Sequence, residues 1–156
     1  MNQKRVEDSL TEQTHLLMSP HLNGSGRLFG GQLLAWIDET AGLVGRRHAG
    51  TDIVTAAIDN LQFKAGAYRN DIILLIGRVV YTGRTSMEIR VDTYVENMDG
   101  MRRPINRAYI TMVAVDENQR PTPVPQLILE TEVQKAEWEG ALKRKQLQKI
   151  RHKEGY

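Results

Sequence analysis

Apolar residues recur at Leu33, Ile37, Thr40/Ala41 and Val44, the spacing of one helical face. The pattern predicts a helix that begins near Gly30-Gly31. It closes on Arg46, Arg47 and His48, whose charges suit the negative end of a helix dipole, and Ala49-Gly50-Thr51 stops it. Past that point the period drops to two. Asp52 to Phe63 reads as a strand in which Val54, Ala56 and Ile58 keep one phase and Leu61 and Phe63 the other. A strand changes face only where a residue is inserted, so a β-bulge is predicted near Asp59-Asn60. Asp71 to Tyr81 carries the run Ile72-Ile73-Leu74-Leu75-Ile76 and has little polar face, which predicts a strand covered on both sides. Thr82-Gly83-Arg84-Thr85 reads as a hairpin connection. Ser86 to Asn97 alternates Met87, Ile89, Val91 and Val95 with Glu88, Arg90, Asp92 and Glu96. Met98-Asp99-Gly100 turns the chain, Ile105 to Val115 is expected as the last strand, and the PTPVP run (121–125) leads away in extended form.

The flanks are less regular. Thr11 to Leu17 is a candidate first strand, ended by Ser19-Pro20. Residues 1 to about 10 are polar and read as frayed. Leu129 to Lys153 is a basic helix with a ragged apolar stripe of Val133, Trp138, Leu142 and Ile150, expected to pack loosely on the body. Glu130, Glu132, Glu137 and Glu139, set among its cations, argue against a tail for membrane surfaces or RNA. The element order gives an α+β class, one long helix and an antiparallel sheet, with residues 1–128 as the body and 129–156 as a basic helical tail. The helix buries its apolar face on the sheet. The opposite face is then free to meet a second copy of the chain.

Composition narrows the function classes. At 156 residues the chain can bury a real core as one domain. A net charge of +2 does not call for a nucleic-acid partner. The lack of Cys excludes disulfides, thiolate nucleophiles and Cys-ligated zinc. MNQKRVEDSLTEQTH has no apolar signal core and no apolar run reaches membrane-spanning length, so the expected setting is cytoplasmic, with no membrane partner. GSGRLFGG is neither GxGxxG nor a P-loop, Gly24-Ser25-Gly26 is not a nucleophile elbow, and the four histidines lack metal-binding spacing.

The helix holds the candidate chemistry. Asp38 shares one side with Gly31, Gly42 and Gly45, and each interior Gly costs about 1 kcal/mol relative to Ala. A carboxylate among glycines suggests close approach of a backbone or ligand; periodicity alone also fits a solvated Asp38-Glu39 pair. The unpaired amides at Gly30 and Gly31, with the helix dipole, make a natural site for an oxyanion. Asp38 lies about 10 Å further along its own helix by the 1.5 Å rise, too far to serve that site but able to serve a partner's.

Taken together the residues resemble the hotdog-fold acyl-CoA thioesterases, in the branch of cytosolic acyl-CoA hydrolases. The carrying segment is Asn23, Gly24-Ser25-Gly26-Arg27-Leu28-Phe29-Gly30-Gly31, Leu33, Trp36-Ile37-Asp38-Glu39, Ala41-Gly42 and Arg47-His48. Supporting matches are Val54-Thr55, Phe63, Gly83 to Met87, Val113 to Asn118 and Pro121 to Pro125. The resemblance implies a long helix wrapped by an antiparallel sheet. It also implies double-hotdog dimers joined sheet edge to sheet edge, and assembly to hexamers as trimers of dimers. It implies hydrolysis of fatty acyl-CoA, with Asn23 and Asp38 as catalytic residues from different protomers and without metal or cofactor. Asp38 would be the general base on water or a nucleophile through a mixed anhydride. Asn23 would orient the water or the carbonyl; read by itself, Asn-Gly is a turn or N-cap pair. Arg84, Thr85 and Ser86 would meet the coenzyme A phosphates, or else are ordinary hairpin residues. The segment after Phe63 departs from the family, which has a Pro and then Gly-Asp where Lys64 to Asp71 stand here. A non-catalytic acyl-CoA sensor of the same fold is the competing reading; it has no use for the carboxylate.

Overall fold

The computed structural model describes residues 2–156. The chain forms β1 (Gln3–Arg5), a 3-10 turn (Val6–Asp8), β2 (Thr11–Leu16), a second 3-10 turn (Ser19–His21) and α1 (Gly30–Ala49). Then follow β3 (Asp52–Asp59), β4 (Ile72–Thr82), β5 (Ser86–Glu96), β6 (Arg102–Val115), β7 (Gln126–Ile128) and α2 (Glu132–Glu154). Five strands make one antiparallel sheet in the order β2-β4-β5-β6-β3, and β1 pairs with β7 in parallel as a separate two-stranded ribbon. The long helix and the antiparallel sheet expected from the apolar periods are both present.

α1 buries the predicted stripe of Leu33, Ile37, Thr40, Ala41 and Val44, and Trp36 beside it, against Ile73, Leu75, Ile89, Val91, Ile110 and Met112 of the sheet. The approach is close because β4 has no side chain at Gly77. A Cβ there would stand 3.0 Å from Val44 and 3.1 Å from Thr40. Gly50, at φ 71°, ends the helix in the left-handed region that favours glycine. β4 is buried on both sides, as its unbroken apolar run requires, because α1 lies on one face and α2 on the other.

Four expectations are corrected. Residues 3–8 are not frayed: Val6 enters the core and Lys4 donates to the carbonyl of Arg47 at the end of α1 (3.0 Å). Elements three residues long carry no readable period. The bulge lies between Thr55 and Ala57, not at Asp59-Asn60, where β3 simply ends with Asn60 at φ 63°. The insertion lets Ile53 and Ile58, of opposite parity, both pack on the core. β6 is not the last strand, since the extended segment after it returns as β7. Finally, Gly45 is buried against Met112, Ile53 and Ile89, so β3 and β6 cover the C-terminal half of the Asp38 face and only its N-terminal part stays open.

α2 is capped by Thr131, whose hydroxyl accepts from the amide of Gln134 (3.1 Å). It is held more closely than expected. Glu137 binds Arg78 (2.6 Å), Arg144 binds Glu88 (2.6 Å), and Trp138 packs on Tyr81 with ring centroids 4.4 Å apart. Beneath it the nearly buried Asp92 collects Arg78, Arg90 and Arg107 within 3.5 Å.

Candidate active site

The segment from Met18 to Phe29 is held by its own polar groups. The amide of Met18 donates to Nδ1 of His21 (3.0 Å) and that of Phe29 to the carbonyl of His21 (2.9 Å). The His21 ring also meets the Trp36 ring edge-on at 4.9 Å, which ties the loop to α1. Within the loop Oδ1 of Asn23 accepts from the amides of Ser25 (2.9 Å) and Arg27 (3.1 Å). Asn23 therefore does have the turn role its sequence context suggests. Its exposed carboxamide NH2 has no acceptor among the described residues.

The loop delivers the chain to the start of α1. Phe29 caps the helix without a side-chain bond, and its carbonyl accepts from the amides of Gln32 and Leu33. The amides of Gly30 and Gly31 meet no acceptor among the described residues and have the unpaired character of first-turn N–H groups. Two exposed phenyl rings lie against these glycines. A Cβ on Gly31 would lie 2.6 Å from the Phe29 ring, and one on Gly30 would press on the Phe63 ring at 3.2 Å. Beside Gly30 a cavity of about 380 Å³ opens, walled by Asn23, Leu33, Phe63, Lys64 and Ile105. Gly31 is outside its lining, and so is Asp38.

Asp38 sits elsewhere. Its Oδ1 accepts a hydrogen bond from the hydroxyl of Thr55 on β3 (2.8 Å). Thr55 pairs with Met112, and Met112 with Met87 at the start of β5, so Asp38 and Thr55 stand at the end of the sheet that carries the Arg84–Ser86 hairpin. The Asn23–Gly30 cavity lies at the other end, beside Ile105 of β6 and the segment ahead of β4. Along α1 itself Asp38 lies about 12 Å from Gly30 at 1.5 Å per residue. Within one protomer, then, Asn23 and the first amides of α1 stand apart from Asp38, Thr55 and the hairpin. Thr55 was not among the candidate residues read from the sequence. The available signal was a Thr between Ile53 and Ile58 in a row that otherwise faces the core.

Two histidines are held in structural positions. His48 is buried at the end of α1 with Nε2 2.7 Å from the carbonyl of Pro125; burial holds its imidazole below the ordinary value. His15 stacks on Trp36 at 4.2 Å and is lowered in the same way, against a smaller opposing pull from Glu39. No group of metal-ligating side chains stands together among the described residues. No described helix is long and apolar enough to cross a membrane.

Similarity to known proteins follows the same lines. The thioesterase superfamily profile matches residues 25–101. An uncharacterized acyl-CoA thioester hydrolase of Bacillus subtilis, YkhA, is 33% identical over 81% of this chain and 74% of its own. The rat cytosolic acyl coenzyme A thioester hydrolase is 35% identical over 86% of this chain, which spans 36% of that longer protein. Among solved structures, an apo-hexameric acyl-CoA thioesterase superposes with a TM-score of 0.93 at 43% identity, covering 97% of this chain and 98% of that one. The acyl-CoA hydrolase of Staphylococcus aureus, solved with butyryl coenzyme A and coenzyme A, gives a TM-score of 0.93 at 29% identity, covering 98% and 94%. That enzyme has also been solved as variants in which an Asp, an Asn or a Thr is replaced by Ala.

Proposed function

The chain belongs to the hotdog-fold acyl-CoA thioester hydrolases of the thioesterase superfamily, and from this we propose that it cleaves fatty acyl-CoA to free fatty acid and coenzyme A at sites built by two protomers. One protomer supplies Asn23 and the amides of Gly30 and Gly31. The other supplies Asp38, oriented by Thr55, and the Arg84-Thr85-Ser86 hairpin for the phosphates. The observation that carries this reading is the separation of the two half-sites within one chain.

Asp38 takes a proton from water as the water oxygen attacks the thioester carbon. The carbonyl oxygen gains charge at the first amides of α1, where the helix dipole favours it, and the free NH2 of Asn23 adds a donor. Collapse breaks the C–S bond, and the thiolate of coenzyme A leaves and takes up the proton that Asp38 received. In the alternative course Asp38 itself attacks, coenzyme A thiolate leaves, and water hydrolyses the mixed anhydride. In either course the Thr55 hydrogen bond fixes the carboxylate's direction. The reaction uses no metal and no cofactor.

Two further observations support the reading. The Asn, Asp and Thr altered in the S. aureus variants are separated along that chain by the intervals that separate Asn23, Asp38 and Thr55 here. β3 is an edge strand with Val54, Thr55, Ala56 and Ala57 exposed, and its free backbone groups can pair with the same strand of a second copy. We propose that such dimers assemble as trimers of dimers, in line with the hexameric relative, and that the protein works in the cytosol.

The test mixes two inactive variants, Asn23→Ala and Asp38→Ala, by unfolding and refolding them together. Half of randomly reassorted dimers are mixed. Each mixed dimer has one doubly damaged site and one intact site, so about one quarter of wild-type coenzyme A release is expected. Confirmed mixing, by mass spectrometry with one tagged chain, and no recovered release would reject the two-protomer site.

A further inference from the structure

We propose that Lys145 of α2 belongs to the phosphate-binding site of the β4–β5 hairpin, so that the C-terminal helix takes part in holding the nucleotide end of acyl-CoA. The inference rests on the acyl-CoA reading above and adds a residue to it from the basic tail.

The hairpin backbone is fixed from three sides. Gly83 donates to the carbonyl of Ser86 (2.8 Å), Ala114 to that of Thr85 (2.9 Å) and Val124 to that of Arg84 (2.9 Å). All three carbonyls are thereby engaged, while the Arg84 guanidinium and the Thr85 and Ser86 hydroxyls have no partner among the described residues. Lys145 enters this set from the side. A Cβ on Gly83 would stand 3.0 Å from Oγ of Ser86 and 3.5 Å from Nζ of Lys145, which places the ammonium against the hairpin backbone. Nζ is also 5.1 Å from the centroid of the Tyr81 ring, and Lys145 and Ser86 share the wall of a small cavity with Glu88 and Gln148.

The carboxylates around Lys145 are already taken. Glu88 is held by Arg144 through two nitrogens, and Asp59 by Gln148 and Arg151. Lys145 has no carboxylate partner among the described residues. A free guanidinium and two free hydroxyls on one rigid turn, with a half-buried ammonium brought against it by α2, form an anion site with its positive charge uncompensated. The turn stands at the Asp38–Thr55 end of the sheet, on the same half-site.

The experiment compares wild type with Lys145→Met, which keeps an unbranched side chain without the charge, and Lys145→Arg, which restores the charge. Substrates are an acyl-CoA, the matching acyl-dephospho-CoA and the matching acyl-pantetheine. Lys145→Met is expected to raise KM for acyl-CoA about tenfold, the size of one lost charge-assisted hydrogen bond, and to leave KM for acyl-pantetheine within about twofold. Lys145→Arg restores KM for acyl-CoA. An effect that persists with acyl-dephospho-CoA assigns the diphosphate, and one that vanishes assigns the 3′-phosphate. An unchanged KM for acyl-CoA, or equal changes with acyl-pantetheine, overturns the proposal. If wild type releases no coenzyme A, the hydrolase reading fails by itself. Calorimetry with adenosine 3′,5′-bisphosphate then decides the site: a Kd about tenfold weaker in Lys145→Met supports it, and equal Kd values overturn it.

Discussion

The two faces of the sheet bind a helix each, by opposite means. On the inner face α1 presents Leu33, Ile37, Ala41 and Val44 to aliphatic side chains, a contact whose strength follows the area removed from water and is indifferent to direction. On the outer face α2 fully buries only Ala141, and its grip comes from Trp138 on Tyr81 and from Glu137 and Arg144 meeting Arg78 and Glu88. Those charges have left water, so each is favourable only while its partner stays in place. The inner helix therefore holds Asp38 on a face fixed mainly by apolar packing, with the charged contacts of Arg46 and Arg47 confined to its last turn. The outer helix is a polar clasp whose stability is a matter of geometry.

The comparison breaks first at Asp38. Asp38→Asn is expected to lower kcat by a factor of about 10² to 10⁴, with Tm nearly unchanged; near-native turnover in the folded variant would remove Asp38 from the chemistry. The second break is on the outer face. Glu88→Ala strands Arg144 and should cost about 3–5 kcal/mol in urea unfolding, whereas the double replacement Glu88→Leu with Arg144→Met should recover most of it. If the double variant is as unstable as the single one, the outer face is held by packing after all. On the inner face Ile37→Ala should cost about 2–5 kcal/mol, with no second substitution that rescues it by charge.

The smallest effect sharpens the contrast through pH. Burial keeps His48 below 6.5 in the folded chain, so the unfolded chain binds a proton that the folded one does not, and stability falls as pH drops below 6.5. Glu88 has the opposite sign. Burial raises its carboxyl above 4.5 despite Arg144, so its contribution declines as pH rises from 4.5 through the raised value. Tm measured from pH 4 to 7 should lose the first slope in His48→Leu and the second in Glu88→Gln. Parallel curves for wild type and both variants would contradict the two assignments.

This contrast also explains what could be read from the sequence. α1 and β4 to β6 were legible because apolar burial writes a period into the chain. The docking of α2 was not, since Glu137 answers Arg78, 59 positions away, and no local pattern encodes that pairing. Of the candidate site, the Asn23 loop and the glycines at the helix start could be found as a motif. Asp38 was identifiable as a polar residue out of place. Thr55 was missed because its significance is a single hydrogen bond across 17 positions, made by a residue type that suits any strand.

The bulge in β3 has a consequence for inheritance. Ile53 and Thr55 face the helix on one side of it and Ile58 on the other, with Ala56 as the supernumerary residue. Losing that one codon would turn either Thr55 away from the carboxylate or Ile58 out of the core, and gaining one would do the same. The length of β3 between Ile53 and Ile58 is therefore fixed by both contacts, and insertions and deletions within the lineage are expected to fall outside it.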